Sequence, residues 1–152
     1  MKKFVFTMQS LLGVKTALEK QVRAELAEAR RRVERFRREL LEKQEVLVRL
    51  RAEAERKARR GISVRELRLQ NIGFNTLFES LARQSRKVEA AEEEAGRVQR
   101  RLVDTMQERK ILEKLREKQW NAYQEEIRRE EALLIDDFLS NQLNEGGGAA
   151  RG

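Results

Sequence analysis

The sequence predicts an all-α protein: a two-helix antiparallel coiled-coil hairpin whose second helix extends beyond the first. Three observations predict this fold. Charged residues make up 39% of the 152-residue chain and aromatic residues only 5%, which leaves too little apolar material for a thick globular core. Proline is absent, so long helices are not interrupted. Apolar residues recur at steps of three and four, which is the spacing of a coiled-coil stripe.

The first helix is predicted from about residue 7 to residue 59, where one apolar stripe runs along the sequence with only two lysines in it. The pattern then breaks, and we place the turn at residues 60–63. Gly61 suits the left-handed position that follows a helix end. Ser63 and Glu66 have the S-x-x-E spacing of a capping box, which indicates that a second helix begins there.

The second helix is predicted from about residue 64 to residue 143. It carries an apolar residue at every seventh position, at Leu67, Phe74, Leu81, Val88, Ala95 and Leu102. Residues 1–145 are expected to form a single coiled-coil hairpin domain. Residues 146–152 are rich in glycine and are predicted to be a disordered tail.

A hairpin centred near Ile62 pairs residues whose numbers add to about 124. The rule matches apolar residues along most of the two helices, and it brings Phe4 against Trp120. Trp120 is therefore expected to cap the hairpin, although contact with a partner protein is the alternative. The same rule sets Lys15 against Arg109, so this end should be weakly held. Beyond Trp120 the second helix has no partner helix in the chain, yet it stays rich in apolar residues. This segment is therefore a candidate for binding another protein.

An enzyme is not expected, because the chain contains neither cysteine nor histidine. Thiol and imidazole nucleophiles and ordinary zinc or haem sites are thereby excluded. Asp136 and Asp137 are neighbouring carboxylates that point about 100° apart on a helix, as polar surface residues do. We predict no catalytic residue, no cofactor, no metal and no small-molecule substrate.

All of the excess positive charge lies in residues 1–60. Residues 1–60 contain 18 basic and 9 acidic side chains, and the densest basic run is Arg30–Arg38. A solvated helix face is the simplest interpretation, while nucleic acid, anionic lipid or an acidic protein surface are alternatives. No aromatic residues suited to base stacking and no DNA-binding motif accompany the run, so nucleic-acid binding is not expected.

The N-terminus superficially resembles a signal peptide, with Lys2 and Lys3 before a short apolar stretch. Thr7 and other polar residues interrupt that stretch, and no cleavage site follows. No apolar run approaches the 18 or more residues that a membrane span requires. We therefore expect a cytoplasmic protein, with any membrane association peripheral.

The residues around the predicted turn carry more apolar side chains than one two-helix interface can bury. Phe78 and Val46 are the candidates for an exposed patch that docks another protein. Local core packing or contact between copies of the chain is the alternative.

Residues 4–12 carry the pattern F-x-F-x-x-Q-x-L-L before a long charged helix. This opening resembles that of the flagellar export protein FliJ family. Gly61-Ile62-Ser63 is similar to the family's mid-chain turn, and the charged stretch that ends with Asp136-Asp137 is similar to its C-terminal segment. The resemblance implies a cytoplasmic component of the flagellar type III export apparatus, similar in fold to the stalk of the ATP synthase gamma subunit.

The resemblance also implies partners: a hexameric export ATPase, the export-gate membrane protein and export chaperones. It implies a location at the cytoplasmic side of the inner membrane and a part in flagellum biogenesis, and hence in motility and chemotaxis. The ATPase-ring candidates are Leu11, Leu12, Trp120, Tyr123 and Ile127. The export-gate candidates are Leu50, Phe74, Phe78 and Leu81. A basic coiled coil that binds nucleic acid and a structural coiled-coil dimer are the alternatives.

Overall fold

The computed structural model describes residues 2–149. Two helices, α1 (Gln9–Arg60) and α2 (Val64–Ala149), account for nearly all of that range, and no strand occurs in it. The two long helices pack against each other, which confirms the predicted all-α hairpin. The predicted boundaries at residues 7, 59 and 64 lie within two residues of the observed ones.

The turn between α1 and α2 has the geometry that its sequence predicts. Gly61 has a φ of 94°, in the left-handed region, and its N–H donates to the Ala58 carbonyl at 3.3 Å. The Ser63 Oγ accepts from the Glu66 N–H at 3.2 Å, while a Glu66 carboxylate oxygen accepts from the Ser63 N–H at 3.4 Å. This reciprocal pair is a capping box, which satisfies the N–H groups of Ser63 and Glu66 at the start of α2.

The structure divides into two compact units, of which one comprises residues 18–105. Its core consists of buried aliphatic side chains from both helices, at Val22, Leu26, Ala29, Val33, Val88, Ala91, Val98 and Leu102. Inter-helix bonds from Arg37 to Glu92 (2.7 Å) and from Arg101 to Glu25 (2.9 Å) flank this core. The residue numbers of these pairs add to 129 and 126, close to the expected constant.

The other unit combines the residues before Leu18 with those after Thr105. Here residues 2–6 are not helical. Phe6 nevertheless is buried with Leu12 and Leu112, and Phe4 and Leu115 pack against this cluster. The numbers of Leu12 and Leu112 add to 124, as the pairing rule requires. The single domain expected for residues 1–145 stays a prediction.

The end of α2 differs from the prediction. The helix continues to Ala149, six residues past the expected end at 143, so residues 146–149 are helical where a disordered tail was expected. An existing helix grows without a new nucleation step. Glycine's cost of about 1 kcal/mol relative to alanine therefore weakens the helix without fixing its end. Residues 150–152 of the predicted tail lie outside the described residues.

Candidate partner-binding surfaces

Three aromatic rings join the N-terminal segment to α2. The Phe4 ring lies edge-on to Trp120, with centroids 5.0 Å apart and planes at 77°, and its centroid is 5.5 Å from that of Tyr123. The Tyr123 hydroxyl donates to the Lys2 carbonyl at 2.6 Å. The predicted packing of Trp120 on Phe4 is therefore confirmed. Because Trp120 keeps 41% of its surface exposed, the same ring can also meet a partner.

The end of the hairpin that was expected to be weakly held has a small core of its own. Lys15 and Arg109, which the pairing rule sets opposite each other, each have a carboxylate partner: Lys15 pairs with Glu108 at 2.5 Å and Arg109 with Glu113 at 2.7 Å. Sequence reasoning overlooked Phe6. Its burial at 5% exposure follows from the non-helical path of residues 2–6, which a helical pairing rule cannot represent.

Burial separates two neighbouring leucines among the ATPase-ring candidates. Leu11 is 44% exposed, whereas Leu12 is only 6% exposed and lies within the cluster of Phe6 and Leu112. Leu12 is thus a core residue and offers no surface to a partner, because consecutive residues on a helix point about 100° apart. Tyr123 and Ile127 are half-buried.

The C-terminal segment, residues 128–148, is the most exposed part of the described chain. Every residue in it is exposed, although it is regular helix. Six large apolar side chains keep between 51% and 78% of their surface in solvent: Leu133, Leu134, Ile135, Phe138, Leu139 and Leu143. Ile127, Leu134 and Phe138 are spaced by seven and four, so they lie on one face of the helix. Exposed apolar faces of this kind are typical of interaction sites in other proteins.

A second apolar surface lies near the turn. Phe74 and Phe78 stack with centroids 6.3 Å apart; Phe74 is half-buried, whereas Phe78 is 45% exposed. Leu50 and Val46, on α1, are each 37% exposed. Leu81 is half-buried. The export-gate candidates thus comprise two residues that contact solvent substantially and two that mainly support them.

Gln84 is a buried polar residue of the helix interface that sequence reasoning did not place there. Its side chain is 1% exposed. The Gln84 Nε2 donates to the Phe36 carbonyl and to a Glu39 carboxylate, both at 3.0 Å, and its Oε1 accepts from the Lys43 Nζ at 3.4 Å. The signal was present, since Gln84 lies three residues after Leu81 in the heptad and Lys43 interrupts the stripe of α1.

The basic run of α1 faces acidic residues of α2. Arg37 donates to Glu92, and this hydrogen bond raises the pKa of the Arg37 guanidinium. The pKa of the Glu94 carboxyl is lowered first by its hydrogen bond with Arg97 and also by the charge of Arg32. Arg31 pairs with Glu28 on its own helix at 2.8 Å. Part of the run is therefore neutralised within the chain.

Neither helix of the described chain contains a stretch long and apolar enough to cross a membrane. A comparison with protein-family models gives a match to the family described as Flagellar FliJ protein, over residues 4–148. No curated protein and no solved structure matches significantly. The family match spans the N-terminal aromatic segment, the turn and the C-terminal segment. The chain therefore belongs to the FliJ family of flagellar proteins and is a coiled-coil protein related to flagellar export.

Proposed function

We propose that this chain is a non-enzymatic adaptor of flagellar protein export, a stalk-like coiled coil that docks in the ring of the export ATPase. It also couples that ring to the membrane export gate and to export chaperones, working at the cytoplasmic side of the inner membrane. Family membership supports the setting, since the FliJ family is a family of export components. The observation that carries the docking proposal is the bare apolar face of the C-terminal segment.

The docking surface for the ATPase consists of Ile127, Leu134 and Phe138, with Trp120 one heptad before Ile127. Phe138 is 62% and Leu134 is 68% exposed, so each has most of its surface available for burial. Large side chains that insert into a complementary pocket dominate binding energies, each costing about 2 kcal/mol or more on truncation. Leu11 adds a contact from α1. Leu12 is excluded because it is buried.

The test compares two neighbouring leucines of similar exposure. Leu134 belongs to the face defined by Ile127 and Phe138, whereas Leu133 is rotated from it by about 100°. Leu133 is 63% exposed, so its substitution is a matched control. Leu134→Ser combined with Phe138→Ser should lower capture of the purified export ATPase more than tenfold and abolish stimulation of its ATP hydrolysis. Leu133→Ser should change neither.

A shortened chain that ends at Ile127 gives a second measurement, because it retains Trp120 and Tyr123 and thus the packing on Phe4. It should fold but fail to stimulate the ATPase. If both the shortened chain and the double variant stimulate hydrolysis like the full chain, the C-terminal segment is not the docking element.

The surface near the turn is assigned to the export gate, through Phe78 and Leu50 with support from Phe74 and Leu81. Phe78→Ser should reduce capture of the gate protein and leave capture of the ATPase intact, because Phe78 is partly exposed and lies outside the face proposed to bind the ATPase. If Phe78→Ser instead loses capture of the ATPase and keeps capture of the gate protein, the surface near the turn binds the ATPase and its assignment to the gate is wrong.

A further inference from the structure

The turn and the helix ends on either side of it, residues 56–72, form a strongly basic region. Residues 56–72 contain six basic side chains and a single acidic one, Glu66. The Glu66 carboxylate is already engaged, because it accepts the Ser63 N–H in the capping box. Lys57 pairs with Glu53 at 3.4 Å. The positive charge of this region is therefore not balanced by the acidic residues around it.

Five arginines of this basic region are exposed, and within residues 2–149 none of them forms an ion pair. They are Arg56, Arg59, Arg60, Arg65 and Arg68. In the arginine run at residues 30–38, by contrast, two of the six arginines, Arg31 and Arg37, have carboxylate partners. Guanidinium groups without carboxylate partners are suited to bidentate binding of phosphate.

Exposed aliphatic side chains accompany these arginines. Val64 is 68%, Leu69 is 60% and Ile72 is 62% exposed. Arg65, Leu69 and Ile72 are spaced by four and three residues, and Arg68 lies four residues before Ile72. These residues consequently share one face of α2. Arg65, Arg68 and Ile72 are directed away from α1, since the half-buried Phe74 lies on the other side of the helix. Leu69 lies at the edge of the face, where it lines a groove with Leu50 of α1.

We propose that this face binds the surface of an anionic lipid bilayer, with the arginines on lipid phosphates and the aliphatic side chains in the hydrocarbon boundary. Basic and aliphatic residues on one helical face have this chemistry. The phosphates of a nucleic acid could also bind the arginine guanidinium groups, but Val64, Leu69 and Ile72 would then stay exposed to water. The inference rests on the proposed function, in which this region meets a membrane-embedded gate, and it adds the lipid itself as a binding partner.

The test uses the full chain and lipid vesicles without any export protein. Vesicles of phosphatidylcholine with about 30% phosphatidylglycerol should bind the chain, and pure phosphatidylcholine should bind it weakly. Each arginine near the surface contributes roughly fivefold, so Arg65→Gln with Arg68→Gln should lower binding about 25-fold. The control with the same change in charge, Arg30→Gln with Arg32→Gln, should lower it much less. Co-sedimentation measures both.

The aliphatic contribution is tested with Leu69→Ser and Ile72→Ser, which should weaken the binding that persists in high salt. These residues are exposed, so circular dichroism should show an unchanged helix content. Equal binding by the Arg65/Arg68 variant and by the control variant would overturn the proposal. Binding to duplex DNA without binding to anionic vesicles would also overturn it. Because the vesicles contain no ATPase or gate protein, this outcome is independent of the tests of the proposed function.

Discussion

The buried hydrogen bonds of Gln84 allow a quantitative prediction about the helix interface. Gln84→Ala removes one buried methylene group, worth about 0.8 kcal/mol, together with the side-chain carboxamide. It also removes three hydrogen bonds. Each of these contributes about 0.5–1 kcal/mol, because Glu39 and Lys43 are half-buried and can return to water. The free energy of unfolding should fall by about 2–4 kcal/mol.

Gln84→Leu separates packing from hydrogen bonding, since leucine fills the space but forms no hydrogen bond. The Phe36 carbonyl lies within α1 and keeps its helical N–H donor. The three hydrogen bonds are lost in this variant too, but leucine buries two more apolar carbons than glutamine, worth about 0.8 kcal/mol each, which offsets most of that loss. We therefore expect Gln84→Leu to stay within about 1 kcal/mol of the original chain in free energy of unfolding.

Urea unfolding followed by circular dichroism at the helix band measures both variants. The reasoning would be refuted by a loss of less than about 1 kcal/mol for Gln84→Ala, a loss that a substitution on the surface would also give. A polar residue in a helix interface can fix which residues face each other. Spin labels at the exposed residues Ala24 and Gln99 should accordingly give one narrow distance distribution in the original chain and a broader one in Gln84→Leu.

Two further matched pairs test the structure. Gly61→Ala should lower the free energy of unfolding by about 1–2 kcal/mol, because its φ of 94° strains any residue with a Cβ. Gly73→Ala should instead raise the free energy of unfolding by about 1 kcal/mol, because Gly73 is helical and an added Cβ would meet no neighbouring side chain within 4 Å. If thermal unfolding shows that both glycine variants are stabilised or that both are destabilised, this reasoning is wrong. Leu12→Ala should cost about 2–4 kcal/mol and Leu11→Ala under about 1 kcal/mol. Similar losses in urea unfolding would mean that Leu12 is not buried.

The sequence alone was sufficient for most of the fold, for identifiable physical reasons. The helix ends near the turn could be predicted because Gly61, Ser63 and Glu66 have conformational preferences that act locally. Helix pairing could be predicted because two connected antiparallel helices obey one numerical constant, and Leu12 with Leu112 satisfies it at 124. Both predictions rest on local chemistry or on a single geometric rule.

The missed features depend on departures from helical geometry or on long-range packing. Phe6 is buried because residues 2–6 leave the helix, and no periodic pattern encodes that path. Leu11 and Leu12 are adjacent and identical in type, so only the packing of Leu112 decides which of them is buried. The end of α2 at Ala149 was missed because glycine lowers helix stability without specifying a stop.

The exposed C-terminal segment suits a docking element because it is already helical in the absence of a partner. α2 has 86 residues and α1 has 52, so the extra length of α2 cannot be packed against α1. An isolated helix of 21 residues, the length of the segment from 128 to 148, would be marginal in water and would have to order on binding. Here it continues from a part of α2 that Phe4 and Leu12 hold in place. Much of the ordering cost is thereby met during folding, so more of the energy gained by burying Leu134 and Phe138 contributes to affinity.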